Sequence, residues 1–222
     1  MRKINRVVIY LLGIVLVALG GIIAIKSNLG ATPVNSLPLA ISSVSILELG
    51  TVSTILFIIY VGIQIILLRK EFKAIQLLQI VFAVLFGRLM SYFNMMININ
   101  VENIFLRITV CLLSFFITSV GVMFTITADI VPIAPDGLAQ AIAKKKNIDF
   151  GKAKLYFDIV IVVLSVAVLL VGGKGLEGLG ISTVLSALCV GRIVSLLNKH
   201  FKEKLESFIF YKEDTNNVMT DY

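Results

Sequence analysis

Charge is scarce in this sequence. Only 15% of its 222 residues are charged, 58% are hydrophobic, and the mean hydropathy is +1.00. That balance excludes a soluble globular domain. Histidine and cysteine are nearly absent too. The one histidine, His200, stands among Lys199, Lys202 and Lys204, and the two cysteines, Cys111 and Cys189, lie inside apolar runs as small packing residues. No HExxH, CxxC, phosphate-loop or dinucleotide fingerprint occurs, so metal, redox and nucleotide chemistry have no foothold and no cofactor is expected. An enzyme is not expected either. A carboxylate pair from Asp129 and Asp136 would have no nucleophile, base or metal set beside it.

What is abundant is long apolar sequence. Runs near 7–25, 52–68, 75–93, 108–127, 155–171 and 178–197 are each long enough to cross a hydrocarbon layer of ~30 Å. The expected class is therefore an all-α membrane protein with six transmembrane helices, and the lipid bilayer is its first partner. The opening run follows Arg2, Lys3 and Arg6 like a secretion signal, but no small-x-small cleavage site follows it. It is expected to remain as the first helix.

The chain is also written twice. AVLFGRLMSYFN at 83–94 and ALCVGRIVSLLN at 187–198 align without gaps, matching Gly87-Arg88 to Gly191-Arg192 at a spacing of 104. Earlier in each half a spacing of 101 matches Gly20 to Gly121, Leu37 to Leu138 and Gly50 to Gly151, and superposes Asn28 on Asp129 and Asn35 on Asp136. The expected organisation is a three-helix repeat over 1–98, a second over 99–198, and a polar tail over 199–222. Three helices per copy is an odd number, so the second copy enters the bilayer from the opposite face, as inverted repeats.

Basic residues give an orientation. With a cytoplasmic N-terminus, the cytoplasmic segments hold Arg2, Lys3, Arg6, Arg69, Lys70, Lys73, Lys144, Lys145, Lys146, Lys152, Lys154, Lys199, Lys202, Lys204 and Lys212. The outer segments hold only Lys26, Arg107 and Lys174. Fifteen against three, with Arg88 and Arg192 inside helices, accounts for all 20. This positive-inside bias explains the net charge of +7 without nucleic acid and predicts a multi-pass plasma-membrane protein with both termini cytoplasmic.

All four prolines fall in two equivalent segments. Pro33 and Pro38 lie in 29–43, and Pro132 and Pro135 in 130–143. Both segments are apolar, and the backbone is broken in each. Two readings stand: a re-entrant turn leading into a half-helix, or an amphipathic helix lying on the membrane surface. In either, Asn35 and Asp136 are expected near a helix N-terminus as caps. Arg88 and Arg192 lie deep in their helices, where they either snorkel to the surface or face a common interior and pair with Asp129 and Asp136. Lys154 and Asp158, one turn apart, are expected to form a local pair.

Pro33-Val34-Asn35, Pro135-Asp136-Gly137-Leu138, Gly50-Thr51 and the final Gly178-Leu179-Gly180 leading through Thr183 to Gly191 together resemble the YczE/YitT-like bacterial integral membrane proteins. The resemblance covers about residues 7–198. It implies a multispanning cell-membrane protein and no particular activity. Asn35 stands where that pattern has an acid, and arginine follows the glycine in both copies.

Two functions compete. The first is a small-solute transporter or permease with its site between the repeats, where Asn28, Asn35, Asp129 and Asp136 supply polar contacts and Arg88 and Arg192 attract an anion or balance the acids. The second is a membrane-embedded regulatory or interaction protein without transport, touching a partner or anionic lipid through the basic tail. Recurrence of polar positions in both copies favours the first.

Overall fold

The computed structural model describes residues 2–99, 102–176 and 178–210. Among these, every regular element is helical: α1 (Arg2–Lys26), α2 (Pro33–Val44), α3 (Leu49–Leu68), α4 (Leu78–Met96), α5 (Ile104–Ala128), α6 (Ala134–Lys146), α7 (Phe150–Val171) and α8 (Ile181–Phe210), with two short 3₁₀ turns between α3 and α4. Six of these helices are long and apolar enough to cross a membrane. Leu112, Val160 and Leu188 are among many large apolar side chains exposed on the outside of the bundle, which only lipid would cover. The protein is a multi-pass integral membrane protein. Its last helix runs past residue 198 without a break, so the start of the expected tail continues α8. Residues 211–222, with Lys212, lie outside the described residues.

The central packing is α1 against α5, antiparallel along their length. Helices in lipid gain little from burying leucine, so close backbone approach at small residues does the work. A Cβ on Gly13 would stand 2.8 Å from the Gly121 carbonyl oxygen, and one on Gly121 equally close to that of Gly13. A Cβ on Gly20 would stand 3.0 Å from the Ser114 carbonyl oxygen. At one end Arg6 Nε donates to the Ala128 carbonyl (3.0 Å); at the other Arg107 Nε donates to that of Ser27 (3.1 Å). Each guanidinium thus satisfies carbonyls that a helix terminus leaves without partners. Under the 101 spacing Arg6 becomes Arg107, residue 27 becomes 128, 13 becomes 114 and 20 becomes 121. Every one of these contacts turns into another.

The short helices follow the same exchange. α2 packs on α7, where Ser36 Oγ lies 2.9 Å from Ser165 Oγ. α6 packs on α3, where Gln64 Nε2 donates to the Ala134 carbonyl (3.2 Å) and Gln64 Oε1 would meet a Cβ on Gly137 at 2.8 Å. Residues 36 and 165 become 137 and 64. Gln64 also exchanges reciprocal amide bonds with Gln79 of α4 at 3.0 and 3.2 Å, both residues fully buried.

The α3–α4 pair breaks the exchange. α3 crosses α4 at Gly50 and Gly87, whose backbones touch so closely that neither could carry a Cβ. The equivalent residues of α7 and α8 are Gly151 and Gly191. A Cβ on Gly191 would meet nothing within 4 Å, and one on Gly151 only the Asp149 carboxylate of its own turn. α7 and α8 hardly touch. α8 rests instead on α5, with Ser119 Oγ 3.3 Å from the Val190 carbonyl. Its first turn is held by the loop after α1: Ser182 Oγ donates to Gly30, Ser182 N to Leu29 (3.2 Å), and Ala31 N to Gly178 (2.8 Å).

Candidate functional site

The site begins with the two short helices. Pro33 and Pro135 occupy their first turns, where a missing N–H costs nothing and the fixed φ suits a helix start. The N-cap positions are Thr32 and Ile133, and neither makes a side-chain capping bond. Asn35 and Asp136 are therefore not the caps the sequence predicts. Each is the third helical residue, because the helix begins ahead of or at the proline.

Their depth follows from their neighbours. The Asn35 amide lies against Gly21, five residues inside the end of α1, and Ser36 against Ser165, six residues inside the end of α7, so the first turn of α2 starts about 8–9 Å inside those ends. Its last residue, Val44, lies against Gly172, just beyond α7. α6 likewise starts beside Gln64, four residues inside the end of α3, and its last turn reaches Glu71, where Lys144 Nζ lies 2.5 Å from Oε2. Both short helices start inside the bundle and climb outward.

The gap between α7 and α8 opens into a cavity of about 670 Å³ that reaches the first turn of α2 and the middle of α5. Its charged lining consists of Asp129, Asp136, Lys154 and Asp158. Lys154 Nζ lies 2.8 Å from Asp158 Oδ1 and 3.3 Å from Asp136 Oδ1, and 5.3 Å from the centre of the Phe157 ring. Two carboxylates share one ammonium. Deeper in, Asn35 and Thr118 line the same cavity at 4% and 8% exposure, and among the described residues neither Asn35 Oδ1 nor Thr118 Oγ1 has a hydrogen-bond partner. Phe57 and Phe86, stacked with ring centres 5.0 Å apart, form an apolar wall.

Residues 4–199 match a family model described as a family of unknown function, DUF6198. The chain belongs to this family. No curated protein and no solved structure matches it.

In this DUF6198 member the sequence-predicted residues divide. Asn35, Asp129 and Asp136 line the cavity together. Asn28 does not. It and Asp129 end α1 and α5 in the left-handed conformation, at φ 55° and 48°, which asparagine and aspartate tolerate better than most residues. Arg6 and Arg107 reach the Asp129 and Asn28 backbone carbonyls respectively.

Arg88 and Arg192 are a correction. Both are exposed on the outside of the bundle, neither lines the cavity, and among the described residues neither pairs with an acid. Successive helical residues point about 100° apart. With Gly87 turned to the α3 crossing and Gly191 to the cavity, each following arginine turns away. Arg88 lines only a shallow cleft of about 170 Å³ between α3 and α4. Of the two acids, Asp136 pairs with Lys154 instead. The Lys154–Asp158 pair was legible at its one-turn spacing. Asp136, eighteen residues upstream, was not, and Thr118 carried no signal among the other hydroxyls of α5.

Proposed function

We propose that this protein is a small-solute permease of the cell membrane, built as inverted repeats over 1–98 and 99–198, with both termini in the cytoplasm. The observation that carries the reading is the broken exchange between the α3–α4 and α7–α8 pairs. The contacts of α1 with α5, and of α2 with α7 and α6 with α3, recur under the repeat spacing, while α3 is closed on α4 at Gly50 and Gly87 and α7 is parted from α8 at Gly151 and Gly191, with the cavity in the gap. Inverted repeats that adopt unequal conformations have a second arrangement with the roles exchanged, and alternation between the two exposes a central site to each side in turn. In the proposed orientation the gap faces the cytoplasm. The broken, buried starts of α2 and α6 support this, because irregular backbone at membrane depth persists where it lines a cavity. The resemblance to YczE/YitT-like proteins is in keeping with such an architecture.

The test is solute flux into proteoliposomes containing only this protein, joined to a cross-link. In a variant with Cys111 and Cys189 replaced by Ala, Leu155→Cys and Ala187→Cys place thiols at the positions equivalent to Thr54 and Ala83, which are in contact in the closed half, Thr54 Oγ1 lying 3.4 Å from the Ala83 carbonyl. Oxidation is expected to join them and stop flux, and reduction to restore it. A protein that moves solute but never forms this cross-link would sink the alternation. Orientation is tested separately: a cysteine placed at 102 is expected to react with an impermeant reagent from outside, and labelling from the cytoplasmic face alone would reverse the topology.

A further inference from the structure

The chemistry of the cavity points to the kind of solute it takes. The only lining cation among the described residues, Lys154, is already engaged by two carboxylates, which leaves the Asp136–Lys154–Asp158 cluster with one net negative charge. At the mouth Arg6 lies over the Asp129 backbone. Deeper in are acceptors without donors: Asn35 Oδ1 and Thr118 Oγ1, both in residues more than nine-tenths buried and lining the cavity. A buried acceptor without a donor, and a carboxylate away from water without a counter-charge, are both costly. A ligand that brings one positive charge and N–H donors corrects both. The space is far larger than a bare ion needs, and most of its lining is apolar, Phe57 and Phe86 included. A cation with an apolar body fits such a lining.

We infer that the cavity binds a small monovalent organic ammonium ion, its head group held by Asp136 and Asp158 in competition with Lys154 and its body against Phe57 and Phe86. This rests on the reading of the cavity as the solute site of a permease and gives that site its substrate class. The charged lining lies entirely in the second repeat. Lys154 and Asp158 correspond to Ser53 and Phe57 under the 101 spacing, so the head-group end is supplied by α6 and α7 and the apolar end by the first half.

Three probes of one skeleton separate charge from shape: 3,3-dimethylbutylammonium, 3,3-dimethylbutan-1-ol and 3,3-dimethylbutanoate. Binding to the purified full-length chain is expected to be at least about tenfold tighter for the ammonium than for the other two, as expected when a close charge pair is made in a desolvated site. Asp158→Asn is expected to erase that preference. Should that variant fail to fold, Asp136→Asn, at a more exposed carboxylate, carries the same expectation. Lys154→Gln is expected to raise affinity for the ammonium and leave that for the alcohol unchanged, since the internal competitor is gone. Equal or tighter binding of the alcohol or the carboxylate, or no binding of any probe, overturns the inference. So does an ammonium preference that survives both carboxamide variants. Flux measured with the same probes keeps the two readings apart. Ammonium binding without flux removes the permease and leaves the site. Flux of the alcohol or the carboxylate without ammonium binding does the reverse.

Discussion

Arg6 and Arg107 perform the same act at opposite ends of one helix pair. Each reaches from the first turns of its own helix to the carbonyls that end the other, Arg6 to 128 and 129, Arg107 to 27 and 28. The two residues are 101 apart, the spacing of the repeat itself.

Replacing either arginine with methionine is expected to lower stability by about 1.5–3 kcal/mol, the worth of charge-assisted hydrogen bonds. The sites are some 20 residues apart along α1, about 30 Å, so the double variant should show the sum. Lysine should rescue poorly, because it cannot direct two fixed N–H groups at neighbouring carbonyls. Thermal unfolding in detergent reads this, and a strongly non-additive double variant would mean the two ends do not act independently.

Glycine to alanine should divide the four equivalent glycines. Gly50→Ala and Gly87→Ala force apart a crossing where backbones touch and should cost about 1–3 kcal/mol or more. Gly191→Ala meets open space and should leave the melting temperature nearly unchanged while reducing flux, because the exchanged arrangement needs that crossing. Unimpaired flux in Gly191→Ala would argue against closure there.

Gln64→Leu leaves one Gln79 amide without its partner and should cost about 1–3 kcal/mol. Adding Gln79→Leu should recover part of the loss, since an apolar pair strands fewer polar groups. A double variant less stable than the sum of the singles would refute this account of the pair.

At the left-handed positions, Asn28→Gly should be tolerated and Asn28→Val should destabilise by about 1–2 kcal/mol, because a β-branched residue resists positive φ. Equal melting temperatures for the two would show that the turn relaxes.

Much of this architecture is readable without coordinates. Six apolar runs locate the six spans, although the last run, 178–197, stops well short of the end of α8 at Phe210, and the four prolines mark α2 and α6. The site is only partly readable. The polar positions shared by both halves led to Asn35, Asp129 and Asp136, but the same symmetry argument enlisted Arg88 and Arg192, which turn outward. The repeat preserves helix crossings better than chemistry: Gly87-Arg88 recurs because its glycine serves a crossing in one half. Lys154 and Asp158 have Ser53 and Phe57 as counterparts, so no search for matched acids and amides could join them to Asp136. Arg6 and Arg107 did share the spacing, yet read singly they looked like ordinary flanking charges.

Two carboxylates around one ammonium also make the site sensitive to voltage. In the proposed permease, a crossing with a monovalent cation aboard moves no net charge at this cluster, whereas an empty return carries one negative charge through part of the field. The whole field is worth about 2.3 kcal/mol per charge at 100 mV. Exchange of one solute molecule for another would then be indifferent to membrane potential, and net uptake would be driven by it.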